Sequence, residues 1–247
     1  MRSVLAVGAH PDDIELGCGG TLAAHRAAGD AVTMLVLTGG QNGPGSVQVR
    51  AREQERAADR LGAVLVWGGQ VDCAMSADPA VITVIENVLK VVGADVVYTH
   101  APDDSHQDHR ATAAATLSAA RHRSAVLYYA GPSTVRFEPT VFVDISEHLE
   151  AKLAALACHE SQVDGSSMVD PEAAAATARH FGALARIRYA EPFVPARFVW
   201  DLGTAVVPLP RHGSGRAGSE SGESRSDQAQ HDESRTALVP GARHQSW

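Results

Sequence analysis

The feature that most constrains the fold of this chain is a series of short apolar runs that do not alternate with polar residues. Ser3–Val7, Ala31–Leu37, Ala63–Trp67, Asp95–Thr99 and Ala125–Tyr129 read as strands. Between them, Leu16–Ala28, Val47–Leu61, Pro79–Val92 and His109–His122 read as helices, the first three closed by Gly29, Gly62 and Gly93. Strands without polar alternation are buried on both faces, and strands separated by helices pair in parallel. Right-handed crossovers then favour an α/β, Rossmann-like, doubly wound and mostly parallel sheet. The expected strand order is 3-2-1-4-5, with further strands added from the C-terminal part. In that order strands 1 and 4 are neighbours, and the crevice beyond their carboxyl ends is where ligands of open α/β sheets bind.

Later in the chain, Val141–Ile145 reads as a strand, Glu147–Cys158 and Glu172–Arg186 as helices, and Arg197–Asp201 as a last short strand. From Arg211 the composition changes: of the last 37 residues 7 are Ser and 5 are Gly, and Ile, Phe, Met and Tyr are absent. Such a segment buries too little apolar surface to offset its ordering entropy. The expectation is one domain over residues 1–210 and a disordered polar tail over 211–247.

Composition excludes several classes. The 247 residues are 45% hydrophobic and carry a net charge of −8, so a core forms but a basic nucleic-acid surface does not. Three cysteines, Cys18, Cys73 and Cys158, share no C-x-x-C spacing, which points away from a disulfide framework or thiolate zinc cluster and toward a reducing cytoplasm. The first apolar run is too short for a signal peptide, and no run is long enough to span a bilayer. A homo-oligomer stays open, because nothing in the sequence bears on assembly.

The chemistry sits at two strand ends. The first strand runs into Ala9-His10-Pro11-Asp12-Asp13-Ile14-Glu15, and the fourth into His100-Ala101-Pro102-Asp103-Asp104-Ser105-His106-Gln107-Asp108-His109. Catalytic zinc takes three protein ligands and keeps a position for water. His10 and Asp13 can supply two ligands from one turn, and His109 a third from across the crevice. Asp12 then lies beside the ion where a general base is needed. His106, three residues before His109, is within about 5–6 Å of it at helical spacing. Asp108 can orient an imidazole. The Gly17–Gly20 cluster lacks dinucleotide spacing and is better explained by close helix–sheet packing.

These motifs together resemble the PIG-L/LmbE-like family of metal-dependent de-N-acetylases. Ala9–Glu15 stands for the family's A-H-P-D-D-x-E, followed by Gly17-Cys18-Gly19-Gly20-Thr21, and His106–His109 for its H-x-D-H. Arg50, Glu53, Ala57, Ala58, Leu61 and Gly62 match a helix motif. Glu138-Pro139-Thr140, Asp144-Ile145, Lys152, His159–Gln162 and Tyr189–Phe193 match C-terminal patterns. The resemblance covers about Val4 to Phe198. It implies hydrolysis of an N-acetyl amide on a small-molecule substrate, a glucosamine-like sugar or its conjugate, by zinc-activated water, with Fe²⁺ as the alternative metal. It implies His10, Asp13 and His109 as ligands, Asp12 as general base, His106 as the residue that stabilises the oxyanion or protonates the leaving group, and Asp108 as the group setting its protonation. Arg50, Gln41 and Gln162 become the substrate-binding positions. Two residues depart from the pattern: Gln41 stands where many members carry a carboxylate, and Asp104 where some carry a tyrosine. Other readings are an amidase of the same family acting on a thiol or antibiotic conjugate, a non-haem iron oxygenase, whose two-His-one-carboxylate triad usually sits on a β-helix fold, and a non-catalytic Rossmann-like binding protein, which leaves Asp12 and His106 without a task.

Overall fold

The structure is a computed structural model and describes residues 1–165 and 168–199. Seven strands form one sheet in the order β3-β2-β1-β4-β5-β7-β6. They are β1 Ser3–Gly8, β2 Ala31–Thr38, β3 Val64–Gln70, β4 Val96–His100, β5 Ala125–Tyr129, β6 Val141–Asp144 and β7 Ala190–Phe198. The first five pair in parallel in the expected 3-2-1-4-5 order, and β7 runs antiparallel to both β5 and β6. The helices are α1 Asp13–Ala27, α2 Val47–Leu61, α3 Pro79–Val92, α4 Gln107–Ala119, α5 Leu149–Leu156, α6 Glu160–Val163 and α7 Pro171–Ala185.

Both faces of the central strands β1, β2, β4 and β5 are covered, which is why they lack polar alternation, whereas the edge strand β3 is only partly buried. Val4, Ala6, Met34 and Val36 pack with Ile14, Leu22, Ala57 and Leu61 of α1 and α2. Their chain neighbours Leu5, Val7, Leu35 and Leu37 pack on the opposite face with Val81, Ile85 and Leu89 of α3 and Ala115 of α4. Each fully buried leucine of this kind contributes about 1.5–3 kcal/mol.

α1 is broken at Cys18, whose φ of −147° and ψ of 18° are not helical. Residues remote in sequence satisfy the broken turn. Lys152 of α5 donates to the Leu16 carbonyl (2.7 Å) and pairs with Glu191 of β7. The Glu191 carboxylate accepts from the amides of Gly20 (3.0 Å) and Thr21 (2.6 Å), at the start of the second helical segment. Helix starts leave amides without intrahelical partners and attract negative charge. The broken turn presses on the sheet: a Cβ on Gly17 would lie 2.1 Å from the Tyr129 ring, whose hydroxyl donates to the Val7 carbonyl (2.9 Å). Close packing is therefore the reason for glycine here, as expected.

Three expectations shift. The last strand begins at Ala190 instead of Arg197, because Pro192 and Pro195 sit inside it and interrupt the apolar pattern. The helix expected over Glu147–Cys158 ends at Leu156, and the separate turn α6 follows. α1 starts at Asp13, which brings that carboxylate into its first turn. The expected tail over 211–247 and the end of the expected last strand at Asp201 lie outside the described residues. Among the described residues no helix is long and apolar enough to cross a membrane.

Candidate active site

The carboxyl ends of β1 and β4 lie side by side, and both motifs project into one cavity of about 270 Å³. It is lined by His10, Asp12, Asp13, Arg50, His106 and His109 among others.

The turn after β1 is tethered by Thr38 at the end of β2, whose amide (2.8 Å) and hydroxyl (2.9 Å) both donate to the Ala9 carbonyl. Asp12 caps α1 with φ 92°, a left-handed conformation that costs an L-residue energy and that Asp tolerates better than most. Its side chain makes no capping hydrogen bond, so the carboxylate is turned toward Arg50, whose guanidinium donates to it (3.3 Å) and to the carbonyls of Pro11 (3.0 Å) and Gly40 (2.8 Å). The φ of +64° at Gly40 and the arginine lying against it both require glycine: a Cβ there would be 2.1 Å from the guanidinium. Burial and the neighbouring Asp13 push the Asp12 carboxyl up to about 7, against the pull of His159 and Arg50.

Asp13 occupies the centre of the cluster. Its Oδ2 accepts from the His10 amide (2.7 Å), and lies 3.1 Å from His100 Nε2 and 3.4 Å from His10 Nδ1. Its Oδ1 lies 3.3 Å from His109 Nε2. Burial opposes its charge, yet His109, His100 and His10 hold the carboxyl well below the usual range.

His10 and His109 each have one nitrogen facing Asp13 and the other facing a further acidic group, whereas the Nδ1 of His100 is buried without a hydrogen-bond partner. His10 Nε2 lies 3.0 Å from Asp72 and 3.2 Å from Asp108. His109 Nδ1 lies 3.3 Å from Asp104 and 3.1 Å from the Ser133 hydroxyl. Burial disfavours charging both rings, but these carboxylates carry His10 up to about 12 and His109 to about 9. A buried group of carboxylates that draws protons onto its imidazoles equally suits a divalent cation. Metal-ligating histidines characteristically give their second nitrogen to a carboxylate or other acceptor. The donor set of imidazole and carboxylate fits Zn²⁺ or Fe²⁺. Three sets of donor atoms fall within 4.8 Å of one another: His10, His106 and His109; Asp13, His100 and His109; and His10, Asp72 and Asp108. The expected His10, Asp13 and His109 straddle the first two sets.

His106 caps α4, its Nδ1 accepting from the Asp108 amide (3.2 Å). That hydrogen bond leaves the proton of the neutral ring on Nε2. Burial and the positive His10 and His109 push its pKa down, favouring the neutral ring. The charge of the Asp108 carboxylate, expected to set the protonation of His106, opposes that downward shift, and the carboxylate also accepts from the Cys73 amide (2.7 Å) and faces His10. Gln162 lines the cavity and donates to the Pro44 carbonyl (2.7 Å). Gln41 is exposed: its carbonyl accepts from the Asp72 amide (3.3 Å), while its neighbours Asn42 and Gly43 line the cavity.

Sequence reasoning missed Asp72 altogether and left Asp104 as a mere departure. Asp72 follows β3, so its position at a strand's carboxyl end was the available signal. Asp104 accepts from the His106 amide (2.8 Å) and the Thr134 hydroxyl (3.0 Å) while facing His109, joining the two distal histidines.

The family model described as GlcNAc-PI de-N-acetylase, PIG-L, matches residues 5–120. The chain is 36% identical over 170 residues to a protein of Escherichia coli K12 described as "Uncharacterized deacetylase YaiS", covering 65% of this chain and 91% of that one. It is 27% identical over 231 residues to the "Diacetylchitobiose deacetylase" of Thermococcus kodakarensis, covering 81% and 85%. A solved structure of a conserved protein of Thermus thermophilus superposes with a TM-score of 0.75 at 31% identity, covering 82% of this chain and 98% of that one. With the sheet order, the strand-end motifs and these likenesses in agreement, the chain belongs to the PIG-L family of deacetylases.

Proposed function

We infer that this protein hydrolyses an N-acetyl amide on a glucosamine-like sugar or its conjugate, with a divalent metal, Zn²⁺ or alternatively Fe²⁺, held by His10, Asp13 and His109. The observation that carries this reading is the position of Asp13 between His10 Nδ1 and His109 Nε2, with Asp12 and His106 on the same cavity. The description of the Thermococcus relative supports the acetylated sugar.

When bound, the ion supplies Lewis-acid polarisation of the amide carbonyl and acidifies water. The chain's own residues do the rest. Asp12 accepts a proton from water, for which a carboxyl held near neutrality by burial is suited. Arg50 keeps that carboxylate aimed into the cavity. Neutral His106 donates Nε2–H to the oxygen on which negative charge develops, a contact strongest at the transition state. Protonated Asp12 then returns its proton to the departing nitrogen as the C–N bond breaks. Amide and water become acetate and a free amine. Asp108 and Asp72 orient His10, and Asp104 orients His109.

The test is a screen of N-acetylated sugars and conjugates at defined metal loading, following acetate. Stoichiometric acetate and amine, abolished by a chelator and restored by zinc, is the expected result. Undiminished turnover in verified metal-free protein overturns the reading.

A further inference from the structure

Beside the catalytic crevice lies a second cavity of about 400 Å³, and Leu16, Pro132 and Met168 line both. One wall is a face of α7, where Ala174, Ala178 and Phe181 recur at helical spacing. Ala130, after β5, and Pro192 of β7 also line it. The charged groups at its edge are already engaged. Lys152 and Glu191 pair with each other and satisfy the broken turn of α1. The Asp170 carboxylate accepts from the Glu172 amide (2.8 Å) at the start of α7. What remains is mostly carbon, in a volume typical of small-molecule sites. None of the residues assigned to metal binding or proton transfer lines this cavity, so the chemistry gives it no task.

We propose that this cavity binds an apolar substituent of the substrate, an aliphatic chain or aryl ring attached near the hydrolysed amide. The proposal rests on the amidase reading and narrows its substrate class. The preferred substrate is amphiphilic, polar around the amide and apolar beyond it. The substituent sits either on the amine side, as an aglycone, or on the acyl side.

Two substrate series separate these sources: N-acetylglucosaminides with methyl, butyl and octyl aglycones, and methyl glucosaminides N-acylated with acetyl, butanoyl and octanoyl groups. Affinity is measured by titration calorimetry and carboxylate release by initial rates, with zinc-loaded protein. Each methylene that enters the cavity raises affinity about fourfold. A gain along the first series assigns the cavity to the aglycone, and along the second to the acyl chain. Two variants fill the cavity: Ala174→Trp, and Thr177→Trp at an exposed position on the same face. The chain-length gain should vanish in each variant that folds, with affinity for the methyl N-acetylglucosaminide unchanged within twofold. Flat affinity along both series, or a gain that survives both variants, overturns the proposal. Affinity that rises with chain length without any carboxylate release sinks the amidase reading and leaves the cavity assignment standing. Release from the methyl compound with flat affinity does the reverse.

Discussion

Replacing Asp104 by Asn isolates what that residue contributes. The side chain keeps its size, and the carbonyl oxygen of Asn can still accept from the His106 amide, as Oδ1 does now at 2.8 Å. The change falls at Oδ2, which lies 3.3 Å from His109 Nδ1 and accepts from the Thr134 hydroxyl at 3.0 Å. An Asn amide there brings a donor toward a ring nitrogen that must itself donate when Nε2 binds an ion. The charge that carries the His109 imidazole up to about 9 also disappears in part. Losing the carboxylate partner of a metal-bound histidine typically costs 10–100-fold in metal affinity or activity, or about 1.4–2.7 kcal/mol. Zinc affinity of Asp104→Asn, measured by competition with a chromophoric chelator, should therefore fall by about one to two orders of magnitude. Thr134→Val, which leaves the carboxylate in place, should shift it by less than Asp104→Asn does and by no more than about two- to tenfold, the range of one neutral hydrogen bond. Equal zinc affinity in wild type and Asp104→Asn would refute the reasoning that Asp104 supports a metal ligand.

Three further outcomes follow from the same contacts. The acidic limb of kcat/KM should rise with pH at or below about 7, because the proposed base, Asp12, acts only when ionised and a cation beside it lowers its carboxyl further; a pH–rate profile of Asp12→Asn should lack that limb. Gly17→Ala forces a Cβ to within 2.1 Å of the Tyr129 ring and should cost about 1–3 kcal/mol, read as a lower thermal midpoint, whereas an unchanged midpoint would mean the turn has room to move. Lys152→Met leaves Glu191 charged and buried without its cation, costing about 3–5 kcal/mol in denaturant unfolding, and Lys152→Met with Glu191→Gln should recover part of it.

The parallel sheet was legible because its cause is local. Burial on both faces removes polar alternation from Leu5–Val7 and Leu35–Leu37, and that absence is visible residue by residue. Right-handed crossovers favour a doubly wound sheet, and in the observed 3-2-1-4-5 order the crevice falls between β1 and β4. β7 was not legible, since Pro192 and Pro195 read as breaks and are accommodated only by pairing with β6 and β5. The two motifs were legible because each is contiguous. Their supports were not, because they come from distant parts of the chain: Asp72 and Asp108 reach His10 across 62 and 98 residues. Asp108 shows the limit most clearly. The family resemblance implied that it sets the protonation of His106, but the sequence did not suggest that its carboxylate also lies 3.2 Å from His10 across the crevice. Gln41 was legible as a departure from a pattern, but its side chain steadies the Asp72 loop instead of lining the cavity.

In the proposed division of labour, one set of residues holds an ion and Asp12 moves the proton. Acetate release by Asp12→Asn protein, loaded with one zinc per chain, measures that division directly. Zinc affinity should stay within a few-fold of wild type, and kcat should fall about 10²–10⁴-fold. Turnover at the wild-type rate in that zinc-loaded variant would contradict that division.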